Sequence, residues 1–233
     1  MMIGQSVDKS YAYLLGVYLG DGCVTNSSDG YPVFRLNTID ADFAEAVRRA
    51  IASLSRYPIN INVHAVKKSS KPNHALRCGD TGLCRRLRDD VPGKRALPAG
   101  ILDWPRDHQL AFIAGLMDSE GFVAANSNTT NRRFYMGYKS CDPWVPDFIV
   151  LLQRVGVRIG KVQTEEPRQP GYKPPTRFTI KMQSWIDAGC YFNIRRKQDR
   201  VEEWASAGAY ERRARFPRRL ISETIRQTPA SSR

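Results

Sequence analysis

Two stretches of the chain share one unusual pattern of apolar and small residues. Residues 14–22 read LLGVYLGDG, and residues 113–121 read IAGLMDSEG. Each is an apolar helical run with glycine third, an acid eighth and glycine ninth. Glycine lowers helix stability by roughly 1 kcal/mol relative to alanine, and a carboxylate at a helix C-terminus meets the negative end of the helix dipole. Both costs recur at matched positions, so the pattern predicts two equivalent helices that end in a functional group.

The segments that follow the two runs also match each other. Alternation typical of a strand leads into helical periodicity over residues 31–54 and again over residues 133–157. A further strand and helix follow at 75–87 in the first copy and at 176–190 in the second. Each half therefore reads helix, two strands, helix, two strands, helix. This predicts an α+β fold made of a tandem αββαββα repeat with pseudo-twofold symmetry.

A connector rich in proline and glycine separates the two copies. We place the N-terminal half at 1–95, a linker at 96–108, the C-terminal half at 109–205 and a basic tail at 206–233. The tail holds many arginines, and either a short helix or a basic arm is compatible with it.

The charge balance points to a polyanionic partner. Lysine and arginine number 36 against 23 aspartates and glutamates, which gives a formal net charge of +13. Nucleic acid is the first candidate, because phosphate contacts supply most non-specific affinity. Composition alone is also compatible with a merely soluble basic protein. A membrane surface is disfavoured, because no long amphipathic helix has a clean basic face.

Cysteine and histidine usage excludes several other classes. The five cysteines form no CxxC pair, and the three histidines stand apart, which disfavours a zinc site or a histidine-centred nuclease. The N-terminus lacks a basic signal region, and no apolar run approaches the roughly 20 residues that span a bilayer. These features predict an intracellular protein with reduced thiols, in a compartment that the sequence leaves open.

Small residues four positions apart recur in both runs. Gly16 and Gly20 have this spacing in the first, and Gly115 and Ser119 have it in the second. Such residues share one helix face and let two backbones approach closely. If the two helices pack together through these faces, their C-terminal ends meet and their acids lie side by side.

Asp21 and Glu120 are the two acids that such packing would bring together. Neighbouring carboxylates repel, and the helix dipoles add to the repulsion, so a cation is expected between them. Carboxylate and carbonyl oxygens are the hard ligands that Mg²⁺ prefers. We expect Gly22 and Gly121 to adopt the left-handed conformation that ends a helix.

The paired runs resemble the LAGLIDADG motifs of homing endonucleases, in the single-chain form that carries both copies. The resemblance covers roughly residues 10–200, in the right order and with the αββαββα layout in each half. It implies two four-stranded antiparallel sheets, each curved as a saddle over double-stranded DNA, with the motif helices at the pseudo-twofold interface. It also implies that a monomer cuts both strands by Mg²⁺-dependent phosphodiester hydrolysis and leaves short 3′ overhangs.

The resemblance assigns the metal site to the motif ends. Asp21 and Glu120 correspond to the family's acids, assisted by the carbonyl groups of Gly20 and Ser119. The family also has a basic residue beyond the third helix of each half, and Lys94 fits this place in the first half.

In the second half the matching segment reads NIRRKQDR, and the alignment slides by a residue or two. We favour Arg195 over Arg196 and Lys197 as the second basic residue. The usual sixth-position aspartate of the motif is Leu19 in the first copy and Asp118 in the second. We expect this departure to affect packing symmetry more than chemistry.

Base recognition is expected from alternate side chains of the strands. Arginine and lysine suit guanine, asparagine suits adenine, and the alternatives for each side chain are a phosphate contact or a solvated sheet face. The candidates in the first half are Thr25, Ser27, Arg35, Asn37, Lys67, Lys68 and Arg77. Those in the second half are Asn126, Asn128, Arg133, Lys139, Lys161, Gln163, Arg177 and Lys181.

Two other functions use the same scaffold. An RNA maturase that assists intron splicing, or a DNA-binding regulator without nuclease activity, would keep the fold, and the maturase could keep both acids. Both acids and a basic residue in each half favour cleavage. The splicing part of an intein is disfavoured, because the chain neither begins with cysteine or serine nor ends with His-Asn. The target sequence cannot be derived from the chain, because it depends on many contacts and on DNA deformability.

Overall fold

The structure is a computed structural model that describes residues 8–65, 71–126, 133–167, 171 and 173–215. For Asn126, Arg133 and residues 208–215 it describes the backbone alone. Among the described residues, no helix combines the length and apolar character needed to cross a membrane.

The first half has the predicted order of elements. Helix α1 leads into a four-stranded antiparallel sheet of order β1-β2-β4-β3, with α2 between the two hairpins and α3 after them. The bounds are α1 Lys9–Leu19, β1 Cys23–Asn26, β2 Pro32–Thr38, α2 Ala41–Leu54, β3 Asn60–His64, β4 Asn73–Cys78 and α3 Thr81–Asp90. Two 3-10 turns, Pro92–Lys94 and Ile101–Asp103, then lead toward the second half.

The second half repeats this order and ends in an additional helix. Its sheet has the equivalent order β5-β6-β8-β7, again antiparallel. The bounds are α4 Arg106–Ser119, β5 Gly121–Asn126, β6 Arg133–Ser140, α5 Val145–Arg154, β7 Ile159–Thr164, β8 Thr176–Ile180, α6 Met182–Asp187 and α7 Arg195–Arg215. The predicted α+β tandem repeat is confirmed. Helix α7 continues past residue 206, where we placed the start of the basic tail.

Each sheet buries one face under the helices of its own half. Phe34 of β2 and Leu76 of β4 lie on the buried face of the first sheet, and Tyr138 and Phe178 lie on that of the second. Alternation leaves the opposite face of each sheet open. The open faces are the surfaces on which base-reading side chains were predicted.

The two motif helices pack against each other without space for side chains at the contact. A Cβ atom on Gly16 would lie 2.2 Å from the Phe112 carbonyl oxygen, and one on Gly115 would lie 2.1 Å from the Tyr13 carbonyl oxygen. At the C-terminal ends, a Cβ on Gly20 would lie 2.4 Å from the Ser119 Cβ. The small residues therefore allow contact between backbones, as their spacing predicted.

Candidate active site

The two motif acids occupy adjacent helix ends. Gly20 caps α1 through a hydrogen bond from its N–H to the Gly16 carbonyl, and Asp21 follows it. Glu120 caps α4 and donates its N–H to the Leu116 carbonyl at 3.0 Å. A Cβ placed on Gly20 would lie 3.5 Å from the Glu120 Cγ, so the end of α1 contacts the second acid directly. The structure thus brings both predicted acids to one place, each from a different half.

Glycine is required after each acid for a different reason from the one that we expected. Neither Gly22 nor Gly121 has positive φ, so the expected left-handed conformation was wrong. Both positions instead lack space for a Cβ atom. A Cβ on Gly22 would lie 2.9 Å from the Phe34 ring, and one on Gly121 would lie 2.6 Å from the Met117 carbonyl oxygen. Both glycines let the chain enter its first strand close to the helix that it has just left.

The electrostatics of this place disfavour two negative charges. Burial, together with the negative charges of Asp21 and Asp142, raises the pKa of Glu120 to about 7. Burial also raises the pKa of Asp21, although the cations of Lys197 and Lys94 oppose that change. Within the described residues, no group of three or more His, Cys, Asp or Glu side chains is arranged to hold a metal.

Lys94 lies at the end of α1, beside the first acid. Its Nζ donates to the carbonyl oxygens of Gly20 at 3.1 Å and Gly22 at 2.6 Å, and burial lowers its pKa. Among the described residues, Lys94 is the non-glycine residue with a positive φ, of 55°. This conformation costs free energy and often marks functional sites. Trp144 from the other half donates its Nε1–H to the Lys94 carbonyl at 3.2 Å. The predicted position of Lys94 at the site agrees with this geometry.

The corresponding cation of the second half is Lys197. Its Nζ donates to the carbonyl oxygens of Met117 at 2.9 Å and Asp118 at 2.6 Å, at the end of α4. Its side chain is buried, and this burial lowers its pKa to about 8. Each lysine thus donates to two backbone carbonyl groups near the end of a motif helix, Lys94 on either side of Asp21 and Lys197 in the last turn of α4. Residue type was the sequence signal, because only Lys197 among the three candidates repeats the lysine of the first half.

Arg195, the residue that we favoured, points elsewhere. Its exposed guanidinium pairs with Asp199 at 2.6 Å, one turn further along α7. Arg196 forms a bidentate pair with Asp40 of the first half, at 2.7 and 2.8 Å. The geometry therefore brings Lys197 rather than Arg195 to the motif, because the first turn of α7 directs the third residue, not the first, toward it.

Asp118 has a role that the sequence did not reveal. Its buried carboxylate accepts hydrogen bonds from the Tyr13 hydroxyl at 3.0 Å and from the backbone N–H groups of Asn193 and Ile194 at 3.0 and 3.3 Å. The Asn193 amide adds a fourth at 3.0 Å. Burial raises the pKa of Asp118 to about 6. The carboxylate fixes the residues just before α7 and thereby the position of Lys197.

Most described candidates for base contact in the first half lie on the open sheet face. Thr25, Arg35, Asn37 and Arg77 alternate with the buried residues of their strands. Ser27 lies beyond β1 in the hairpin, where its Oγ accepts from the Tyr31 N–H at 3.2 Å. Lys67 and Lys68 lie outside the described residues.

The second half places its candidates less uniformly. Lys139, Gln163 and Arg177 lie on the open face, and Lys161 is exposed beside an irregularity in β7. Lys181 was wrongly placed within the sheet, because β8 ends at Ile180 and Lys181 caps the N-terminus of α6. Asn128 and the side chains of Asn126 and Arg133 lie outside the described residues.

Four polar side chains on the open face of the first sheet were missed, namely Asn60, Asn62, His64 and Asn73.

The structure resembles several solved homing endonucleases. The endonuclease I-WcaI bound to its DNA recognition sequence matches with a TM-score of 0.52 and 10% identity, over 79% of this chain and 82% of that one. A variant of I-DmoI, in complex with its target DNA in the presence of manganese, matches at 0.51 and 16% identity, over 78% and 92%. The LAGLIDADG homing endonuclease I-GzeII in complex with a DNA target matches at 0.50 and 11% identity, over 95% and 97%.

These likenesses lie in the structure rather than in the sequence. No protein-family model matches the chain, and no curated protein matches it significantly. The two antiparallel four-stranded sheets with their helices match that fold, over 79% of this chain for I-WcaI and 95% for I-GzeII. The chain has the two-domain fold of the LAGLIDADG homing endonucleases.

Proposed function

We propose that the protein is a metal-dependent DNA endonuclease that makes a site-specific double-strand break. One observation carries the proposal: two carboxylates from different halves, Asp21 and Glu120, meet at the ends of packed helices, and a lysine from each half donates to the carbonyl groups there. The solved structures of similar fold support it, because they are homing endonucleases bound to DNA targets.

The residues at the site fit a divalent cation. Two neighbouring carboxylates whose pKa values are raised are relieved by a cation, and their oxygens are the hard donors that Mg²⁺ or Mn²⁺ prefers. Asp21 and Glu120 would hold it, with the Ser119 carbonyl group as a further ligand. The Gly20 carbonyl group, the second one that the resemblance implies, accepts from Lys94 Nζ at 3.1 Å and would have to share or exchange that bond for the cation. A bound cation would act as a Lewis acid and make water easier to deprotonate.

The two lysines would act on the phosphate. Lys94 and Lys197 each lie beside one motif end, and a preorganised cation stabilises the charge that develops as a phosphodiester bond breaks. Their lowered pKa values reflect burial, which also reduces screening by water. Lys197 takes the part that we first gave to Arg195.

DNA would bind across the open faces of the two sheets. The formal net charge of +13 supplies affinity for phosphates, and the side chains on the open faces supply base contacts. One chain contains both halves, so a monomer suffices. The halves differ in sequence, and the target is therefore asymmetric.

Cleavage of a plasmid library with randomised inserts tests the proposal. The parent protein should linearise some members with Mg²⁺ or Mn²⁺ and none with EDTA. Asp21→Asn should lower the rate by roughly 100-fold or more, because it removes one of the two negative ligands. Asp29→Asn is the matched control, since Asp29 is exposed in the loop between β1 and β2. Failure of the parent to cut any member would refute the endonuclease function, and binding without cutting would favour a regulator or an RNA maturase.

A further inference from the structure

The open faces of the two sheets differ at equivalent positions. In the first half, Asn37 of β2 lies opposite Ala75 of β4. In the second half, Lys139 of β6 lies opposite Arg177 of β8, in the same place of the repeated topology. An uncharged pair in one sheet thus corresponds to two cations in the other.

Glu165 neutralises part of this charge in the second sheet. It follows β7 and pairs with both cations, its Oε2 with Lys139 and its Oε1 with Arg177 at 3.5 Å. The hydrogen bond from Lys139 lowers the pKa of Glu165, which therefore carries a negative charge at neutral pH. Arg177 also lies over the Phe122 ring, with its Cζ 5.1 Å from the ring centroid. These four residues hold one another on the open face.

The arrangement keeps its polar groups available to a ligand. Like charges directly opposite each other destabilise a sheet, so Glu165 makes the juxtaposition of Lys139 and Arg177 tolerable. The three side chains nevertheless remain about one third exposed. They present donors and an acceptor together, with a net charge of one positive unit.

The equivalent region of the first sheet presents amides. Asn73 Nδ2 lies 3.5 Å from Asn37 Oδ1, and Asn62 lies opposite Ala75 on the other side. Asparagine pairs bidentately with adenine, whereas arginine or lysine pairs with O6 and N7 of guanine, and glutamate accepts from N4 of cytosine. The two regions therefore have different base chemistry.

We propose that Glu165 is a specificity-determining residue that acts with Lys139 and Arg177 to read a guanine–cytosine pair, whereas the amides around Asn37 read an adenine–thymine pair. The target then differs at these two pseudo-symmetric positions. Glu165 has two roles: it accepts from cytosine and it orients the two cations toward guanine. The inference rests on the proposed function, because it assumes that the open faces bind DNA.

Selection of bound sequences from a randomised duplex library, with Ca²⁺ in place of Mg²⁺, tests the inference. The parent should select G·C at one position and A·T at the matching position of the other half-site. Glu165→Gln should reduce the G·C preference at that one position by roughly 5- to 150-fold, the value of one good base contact, and leave the A·T position unchanged.

Glu166→Gln is the matched control, because it makes the same change of charge at the next, exposed residue. It should leave both preferences as in the parent. Equal loss of preference in the two variants, or the same base selected at both positions by the parent, would overturn the role of Glu165. Selection of no sequence at all by the parent would instead overturn the proposed binding of DNA, and the inference with it.

Discussion

Replacing Glu120 with glutamine should make the metal-free protein more stable while it abolishes cleavage. Glu120 is partly buried beside Asp21, and burial and two neighbouring carboxylates raise its pKa from 4.5 to about 7. At pH 8 the side chain is ionised in the folded state against this opposition. Glutamine keeps the shape of the side chain and removes the charge.

The size of the effect follows from the change in pKa. A rise from 4.5 to about 7 corresponds to roughly 3 kcal/mol of opposition to the charged form. Screening by water at this partly exposed side chain reduces the effect to about 1–2 kcal/mol. Because the folded-state pKa lies above the unfolded value, the folded state binds the proton more tightly. Stability therefore falls as pH rises from about 4.5 to about 7, and the whole cost is present at pH 8.

Urea unfolding at pH 4.5 and pH 8 in EDTA measures this difference. Glu120→Gln should gain about 1–2 kcal/mol over the parent at pH 8, equivalent to a rise in Tm of about 2–8 °C, and much less at pH 4.5. The exposed Glu166→Gln variant should show no gain at either pH. Added Mg²⁺ should stabilise the parent and not Glu120→Gln, because ligand binding to the folded state raises its stability. An equal gain at both pH values, or no gain at pH 8, would refute the reasoning.

Three further predictions concern the helix contact, the cation of the second half and the buried carboxylate of Asp118. Gly16→Ala should lose about 3 kcal/mol in urea unfolding, because its Cβ would lie 2.2 Å from a backbone oxygen of α4, whereas Gly79→Ala, with open space around it, should not. Lys197→Met should lower the cleavage rate by roughly 100-fold or more, and Arg195→Ala should leave it near the parental rate; the reverse order would restore our first assignment. Asp118→Asn should cost about 2–4 kcal/mol of unfolding free energy, because its amide nitrogen would face the N–H groups of Asn193, which can only donate.

The sequence predicted those features that depend on local periodicity. The repeat of the motif gave the order of elements and placed Asp21 and Glu120, because a helix of fixed pitch with small residues on one face has one way to pack closely. Alternation along β2 and β4 placed Arg35 and Arg77 on the open face for the same reason.

The sequence failed where position depends on distant contacts. Asp118 decides which of the three basic residues at 195–197 reaches α4. Its carboxylate accepts from the backbone N–H of Asn193, 75 residues further along the chain. Periodicity does not encode such a contact. Glu165 was missed because we looked for basic and amide side chains on a surface expected to bind DNA. An acidic residue that orients two cations has no local signature in the sequence.

The two lysines explain how the fold tolerates its own motif. Close packing of α1 and α4 brings together two negative helix ends and two carboxylates, and nothing in the helices themselves offsets that charge. Lys94 and Lys197 offset the charge by donating to carbonyl groups near the helix ends. Removal from water opposes the charge of each lysine, and its pKa is lowered for that reason. The same two side chains are those that we place near the phosphate. Removal of either lysine therefore leaves uncompensated charge at the helix ends and also removes a cation from the reacting phosphate. A loss of cleavage counts as catalytic only when the variant unfolds at the same urea concentration as the parent.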